Sequence, residues 1–194
     1  MRTIIASALI AACGLAAPAL AGEKYVLDAS HSQVVFSYDH WGFSTTYNMF
    51  SGINGEISFD RENPAASSVS VSMPVKSLFT GWEARYSHFM NEDFFNAKDD
   101  DVWTFSSTDI EVTGDKTALI TGDLTLNGVT KPVVLDAVLT SETDNHRDKG
   151  PWVGFNATGS IVRSDFNLGL GVPAVSDKVD LIISIEAGPN AGQS

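Results

Sequence analysis

The sequence predicts a mostly antiparallel all-β domain, built either as a barrel or as a sandwich. Apolar residues alternate with polar ones along residues 69–75 and again along residues 179–185, which is the period of a strand with one buried face. Turn signals separate such runs, and the pair Asn127-Gly128 lies between two of them as in a tight hairpin. Because no helical segments alternate with the strands, the pattern argues against a parallel α/β fold.

The first segment of the chain has the features of a secretory signal peptide. Arg2 precedes an apolar core, and Ala19-Leu20-Ala21 supplies the small residues of a cleavage site. The core is too short to serve as a lasting membrane span. We therefore expect residues 1–21 to be removed and the mature protein to be secreted. Processing as a lipoprotein at Cys13 is the alternative, and it ranks second.

The remainder predicts one domain over residues 22–187, followed by a flexible tail at residues 188–194. Cys13 is the only cysteine of the chain, so a mature protein that begins at Gly22 has no thiol. Thiol nucleophiles, disulfides and thiolate metal sites are then excluded.

The segment HSQVVFSYDHWGF at residues 31–43 alternates as a strand does. His31 and His40 lie nine positions apart, so in one strand they point to opposite faces at a separation of roughly 30 Å. The two imidazoles therefore cannot bind one metal ion together.

One segment has helical spacing instead. Trp82, Arg85, Tyr86, Phe89 and Met90 recur at the interval of a helix, which predicts a short helix near residues 82–90. We expect this helix to cover the sheet or to close one end of a barrel.

The charge of the chain limits its partners. Asp and Glu number 24 against 12 Lys and Arg, which gives a formal net charge of −12. Such a surface repels phosphate backbones and anionic lipid headgroups. We therefore expect no nucleic-acid partner and at most transient contact with a membrane.

Known catalytic and metal motifs are missing from the sequence. It has no Gly-x-Ser-x-Gly, His-Glu-x-x-His, Walker or dinucleotide motif, and its four histidines lack the spacing of metal ligands. The acidic tract at residues 92–101 lacks the spacing of an EF-hand, which favours a solvated loop over a calcium site and leaves ion binding open. We predict no catalytic residue, no metal and no cofactor.

Large apolar side chains are abundant, with 11 Phe and 4 Trp. Most of them are expected to form an ordinary core. A barrel of about eight strands is nevertheless wide enough to hold a small ligand. A secreted all-β domain that is rich in aromatics and poor in catalytic groups therefore suggests a binder of apolar ligands.

Six stretches carry a resemblance that spans almost the whole mature chain. They are YVLDASHSQVVFSYDHWGFS, GEISFD, EARYSHFMNEDFF, GDLTLNGVTKPVVL, RSDFNLGL and VDLIISIEA. In this order and spacing the chain resembles the YceI-like polyisoprenoid-binding proteins. The resemblance implies an extended, lipocalin-like antiparallel β-barrel of about eight strands. It also implies an apolar interior that holds a long isoprenoid chain, in a periplasmic protein without enzymatic activity.

The resemblance also directs attention to a ligand-binding wall. His40 would lie near the cavity mouth, where it would donate to a polar headgroup or be satisfied as a structural histidine. Arg85 and Arg163 would meet a quinone ring or a pyrophosphate, or would pair with a nearby carboxylate of Glu83, Asp93 or Asp165. The predicted ligand-binding residues are Val34, Phe36, Tyr38, His40, Phe43, Arg85, His88, Phe89, Phe94, Trp103, Phe105, Phe155, Arg163 and Phe166.

The sequence departs from the family pattern at three places, namely Asn48 in place of a glycine, Tyr86 in place of an acid, and Asp99-Asp100-Asp101. These departures bear on a strand bend and on the cavity entrance.

The function implied by the resemblance is binding, sequestration or transport of an isoprenoid lipid, either an isoprenoid quinone or a polyprenyl derivative. Two alternatives stay open from the residues. One is a small periplasmic enzyme that uses His40 or His88 as a base, and the other is an interaction module with a solid core. A homodimer also stays open.

Overall fold

The computed structural model describes residues 22–147, 149–189 and 191. The predicted signal peptide and Cys13 lie outside the described residues. The strands are β1 Glu23–Leu27, β2 Gln33–His40, β3 Ser44–Phe50, β4 Asn54–Phe59, β5 Ser68–Pro74, β6 Val102–Gly114, β7 Thr117–Leu126, β8 Val129–Thr143, β9 Trp152–Val162 and β10 Lys178–Gly188. The α-helix is α1 Glu83–Met90, and short 3-10 turns occur at Pro64–Ala66, Val75–Ser77 and Arg163–Phe166.

The strands form a closed antiparallel β-barrel. The ring runs from β1 through β4, β5, β6, β7, β8, β9 and β10, and it closes where β10 pairs back with β1. Strands β2 and β3 lengthen this ring at one end, because β2 also pairs with β10 and β3 pairs with β2. The prediction of an all-β barrel of about eight strands is therefore confirmed.

The hairpin predicted around Asn127-Gly128 joins β7 to β8. Both residues have positive φ, at 50° and 76°, as the central residues of a type I′ turn do. The register pairs Leu126 with Val129 directly across the turn. An asparagine and a glycine adopt this backbone at low cost, which is why the sequence signal was reliable here.

The barrel is long and has two distinct ends. Strand β6 has 13 residues, so it spans roughly 40 Å along its own direction. We call the end that carries α1, the β2–β3 turn and the Arg163–Phe166 turn the helix end. The opposite end carries the β6–β7 turn, and we call it the hairpin end.

Two groups of buried residues pack at the two ends. Beneath α1, the ring of Phe89 lies 5.1 Å from Phe95 and 6.2 Å from Phe36, and Phe95 lies 4.7 Å from Trp103. Towards the hairpin end, Tyr25, Leu27, Ile53, Ile57, Phe59, Val153 and Ala187 form the second group. Helix α1 therefore covers the helix end, as its aromatic spacing predicted.

The chain does not fray directly after residue 187. Strand β10 continues through Gly188, and Ala191 is buried. Residues 190 and 192–194 of the predicted tail lie outside the described residues, so its flexibility stays a prediction. Among the described residues, no helix combines the length and apolar character needed to cross a bilayer.

Candidate ligand-binding cavity

The barrel encloses a cavity of about 930 Å³ that extends from the helix end to the hairpin end. This volume is at the upper end of the range of small-molecule pockets, roughly 300–1,000 Å³. The solid-core alternative is therefore wrong. The apolar wall residues of β8, β9 and β10 are Val133, Leu135, Ala137, Leu139, Phe155, Ala157, Ile161, Val179, Leu181, Ile183 and Ile185.

The period of two places these side chains inside. On β2, Val34, Phe36 and Tyr38 line the cavity together with His40, which is the face expected from the sequence. Neighbouring positions on each strand point to solvent, as Thr158 does beside Ala157 on β9. The same alternation repeated around a closed ring produces a continuous apolar wall.

Twelve of the fourteen predicted ligand-binding residues lie on this wall, and Phe43 and Phe166 do not. Phe43 lies at the tip of the β2–β3 turn with 88 % of its surface exposed, because the hairpin extends beyond the wall. Phe166 is buried within the 3-10 turn that follows β9, where the strand period has already ended. We therefore remove these two residues from the ligand wall.

The mouth at the helix end is polar. His40, Arg85 and His88 line it, and both histidines are exposed to solvent. Arg85 donates from Nη1 to the carbonyl of Thr80 at 3.0 Å, and its guanidinium lies 5.9 Å from the ring centroid of Trp82. Among the described residues no carboxylate forms an ion pair with Arg85. Its remaining N–H groups are therefore available to a ligand at the mouth.

Arg163 has a different environment from the one expected. Its side chain is 5 % exposed, and it donates to the backbone carbonyls of Leu168, Leu170, Val175 and Ser176 rather than to Asp165. Burial lowers the pKa of the Arg163 guanidinium. Arg163 therefore stabilises the loop at residues 167–177 against the helix end.

The hairpin end contains a cluster that the sequence analysis missed. Arg61 donates to the hydroxyl of Tyr25 at 3.2 Å and pairs with Asp144 at 3.1 Å and with Glu142 at 3.5 Å. The Tyr25 hydroxyl in turn donates to Glu23 at 2.8 Å, and burial raises the pKa of this phenol. Arg61 and Asp144 are 83 positions apart, so no local pattern could indicate the pair.

Asp28, His31 and Glu186 bring three possible metal-ligand atoms within 4.8 Å of one another. These atoms already have protein partners. The carboxylate of Asp28 lies 2.8 Å from Nδ1 of His31, and Trp152 donates from Nε1 to Glu186 at 3.3 Å. The hydrogen bond that the His31 imidazole donates to the Asp28 carboxylate raises the pKa of His31. The cluster fastens the β1–β2 connection to β10.

The structure shows the surroundings of two departures from the family pattern, the acidic loop Asp99-Asp100-Asp101 and Asn48. In the acidic loop, Asp99 pairs with Lys76, and Asp101 accepts a hydrogen bond from the backbone N–H of Lys98 at 2.7 Å. Asn48 lies on β3 between the wall residues Thr46 and Phe50 and is 3 % exposed. Within the described part of the chain, neither its amide oxygen nor its nitrogen has a hydrogen-bond partner.

A closed antiparallel barrel with an apolar interior and a polar mouth defines the lipocalin-like class of ligand-binding barrels. The sequence profile of the YceI-like domain matches residues 25–187, and the chain belongs to this family.

Named relatives agree with this assignment. Protein YceI of Escherichia coli O157:H7 is 40 % identical over 170 residues, which cover 86 % of each chain. Among solved structures, the Campylobacter jejuni YceI protein has a TM-score of 0.68 at 30 % identity and covers 76 % of this chain and 87 % of its own. A polyisoprenoid binding domain from Saccharophagus degradans, implicated in plant cell wall breakdown, has a TM-score of 0.60 at 16 % identity. The match covers 84 % of this chain and 97 % of that domain, and it shows a shared fold.

Proposed function

We propose that this protein binds an isoprenoid lipid in its cavity and sequesters or carries it without making or breaking a bond. The observation that carries the proposal is the 930 Å³ apolar cavity along the barrel. The structural likeness to a domain described as polyisoprenoid binding supports the choice of ligand class. An isoprenoid quinone or a polyprenyl derivative has the long, branched apolar tail that such a cavity accommodates.

The cavity size sets the length of tail that it buries. A water molecule occupies about 30 Å³ of liquid, so the 930 Å³ cavity accommodates roughly thirty groups of that size, which is close to the size of a methylene group. Burial contributes about 0.8 kcal/mol for each CH₂, so the gross transfer from water is on the order of 20 kcal/mol. Most of it is offset, because the tail gives up an equally apolar bilayer and loses conformational freedom. Net affinity therefore depends on how well the tail fits the cavity.

The polar mouth supports selection among headgroups. Arg85 offers charge-assisted hydrogen bonds to a carbonyl or phosphate oxygen, and His40 and His88 add donors beside it. We propose that the headgroup lies at the helix end while the tail extends towards the hairpin end. We also propose that the protein acts in the periplasm after removal of residues 1–21, and the features of that segment support this location.

Native mass spectrometry after gentle purification tests the proposal. We expect the protein to retain an isoprenoid lipid, or to take up ubiquinone or a polyprenol with a stoichiometry of one. The variant Ala157→Phe places a ring inside the cavity and should reduce uptake at least tenfold. Its control, Thr158→Phe, carries the same ring on the outer face of the same strand and should bind normally.

Three results would contradict the proposal. An empty protein that takes up neither lipid would remove the ligand class. Equal uptake by the two phenylalanine variants would place the lipid outside the barrel. Recovery of a chemically altered lipid would show an enzymatic role and contradict the carrier role.

A further inference from the structure

Every aromatic residue that is more than half exposed in the described part of the chain lies at the helix end. These residues are Trp41 at 62 %, Phe43 at 88 %, Tyr47 at 61 %, Phe79 at 63 % and Trp82 at 64 %. We call these five residues the aromatic rim. The remaining exposed large apolar residues along the barrel wall and at the hairpin end are aliphatic. This one-sided distribution indicates a surface that meets an apolar partner.

The tip of the rim is held in an unfavourable backbone conformation. Trp41 and Gly42 form the centre of the β2–β3 turn with φ of 60° and 69°, where Asn and Gly are the preferred residues. The backbone N–H of Trp41 donates to Ala174 at 2.7 Å, and that of Gly42 donates to the Asp39 carboxylate at 2.7 Å. A large indole with positive φ costs folding free energy, and Trp41 stays 62 % exposed, so burial offsets little of this cost, which is typical of a functional position.

The rim is continuous with the opening of the cavity. Trp82 and Leu170 line the cavity and are also more than half exposed, so the apolar wall passes into the outer surface without a polar break at these residues. Val172, in the same loop as Leu170, is 39 % exposed. Trp82 and Leu170 therefore offer an isoprenoid tail apolar contacts both outside and inside the cavity, beside the polar groups of the mouth.

We infer that the aromatic rim docks on the surface of an uncharged lipid bilayer and opens the cavity directly to it. The inference rests on the proposed function for its cargo. Tryptophan and tyrosine favour the interface between headgroups and hydrocarbon. The formal net charge of −12 disfavours anionic lipids and leaves apolar contact as the attraction. A hydrocarbon tail then passes between bilayer and cavity without crossing water, which a rim covered by a folded protein would not permit.

Binding of the empty mature protein, residues 22–194, to phosphatidylcholine vesicles tests the docking step without any cargo. Trp41 and Trp82 should shift their fluorescence to shorter wavelength, and brominated acyl chains should quench it. The double variant Trp41→Asn, Phe43→Ser, called the tip variant, removes the two aromatic side chains of the β2–β3 turn. It gives the turn its preferred Asn-Gly pair, so it should fold at least as well as the unchanged protein. Vesicle binding should fall at least tenfold. The control Ile182→Ser changes a residue with 53 % exposure on the barrel wall and should bind as the unchanged protein does.

The cargo is measured separately, by uptake of ubiquinone from detergent solution and from vesicles. The tip variant should take up ubiquinone from detergent at the normal level and extract it from vesicles at least tenfold more slowly. Absent vesicle binding with normal uptake from detergent would overturn the docking inference alone. Failure of uptake from detergent would overturn the proposed function instead. Sedimentation that shows a dimer lost in the tip variant would assign the rim to a second copy and also overturn the inference.

Discussion

Replacement of Arg163 with methionine removes the group that holds the loop at residues 167–177. The guanidinium donates to four backbone carbonyls of that loop, with distances of 2.9 Å to Leu170, Val175 and Ser176 and a shorter bond to Leu168. Methionine has a similar length and no donor. The variant therefore leaves all four acceptors without their partner while keeping most of the packing volume.

The expected loss follows from the number of bonds and the exposure of the acceptors. Each hydrogen bond to a charged group contributes about 1.5 kcal/mol at the lower end of its range, so four bonds correspond to about 6 kcal/mol. Water recovers part of this, because Leu170 is exposed and Val175 and Ser176 are half-buried, whereas Leu168 is buried. We expect the free energy of unfolding to fall by about 3–5 kcal/mol, because only part of the lost hydrogen bonding is replaced by water.

Equilibrium unfolding in urea, followed by circular dichroism, measures this loss. With a slope of about 2 kcal/mol per molar urea, the midpoint should fall by roughly 2 M. The control Arg85→Met removes a single backbone hydrogen bond and should cost about 1 kcal/mol. The loss of unfolding free energy in Arg163→Lys should lie between those of the two methionine variants, because one ammonium group cannot reproduce the forked donor of a guanidinium. Equal losses for the two methionine variants would refute the assignment of Arg163 to the loop.

Three further predictions concern the rest of the barrel. The Asp28 carboxylate raises the pKa of His31, so the stability from this pair is fully present below the ordinary histidine pKa and is lost as pH rises through the raised pKa. Asp28→Asn should return the His31 pKa towards its ordinary value in an NMR titration, and an unchanged His31 pKa would contradict the pairing. Asn48→Val removes a buried amide without hydrogen-bond partners and should raise the free energy of unfolding by about 1–2 kcal/mol. A lower urea midpoint in this variant would show that the amide has a hydrogen-bond partner after all. Gly122→Ala should destabilise by about 1–3 kcal/mol in thermal unfolding and reduce lipid capacity, because the new Cβ would overlap the ring of Phe105, a wall residue. Normal stability and normal capacity would show that the ring moves freely.

Local patterns predicted the repeating parts of this protein. Alternation along β2 assigned Val34, Phe36 and Tyr38 to one face, and Asn127-Gly128 located a hairpin, because strand period and turn geometry depend on neighbouring residues only. The spacing of aromatic residues likewise located α1. The resemblance to a family then supplied the closed barrel, which periodicity alone had left undecided between a barrel and a sandwich.

The predicted site failed where regular strands end. Phe43 lies beyond the wall on a turn, and Phe166 lies in a 3-10 turn, so the face assigned by counting along a strand no longer applies. Arg163 was expected either at a headgroup or paired with a nearby carboxylate, but the loop that follows it folds back and supplies four carbonyls. The partners of a long polar side chain depend on which segments the fold brings near, and no spacing rule contains that information.

The amino-acid sequence by itself determined the strand character of the chain, the faces of its strands, its negative charge and its lack of known catalytic motifs. These properties follow from residue type and local order. Only the tertiary structure decided that the barrel is hollow, that Arg61 joins Tyr25 and Asp144 at one end, and that five exposed aromatic residues lie at the other. Each of these depends on closure of the sheet, which places residues far apart in the chain against one another.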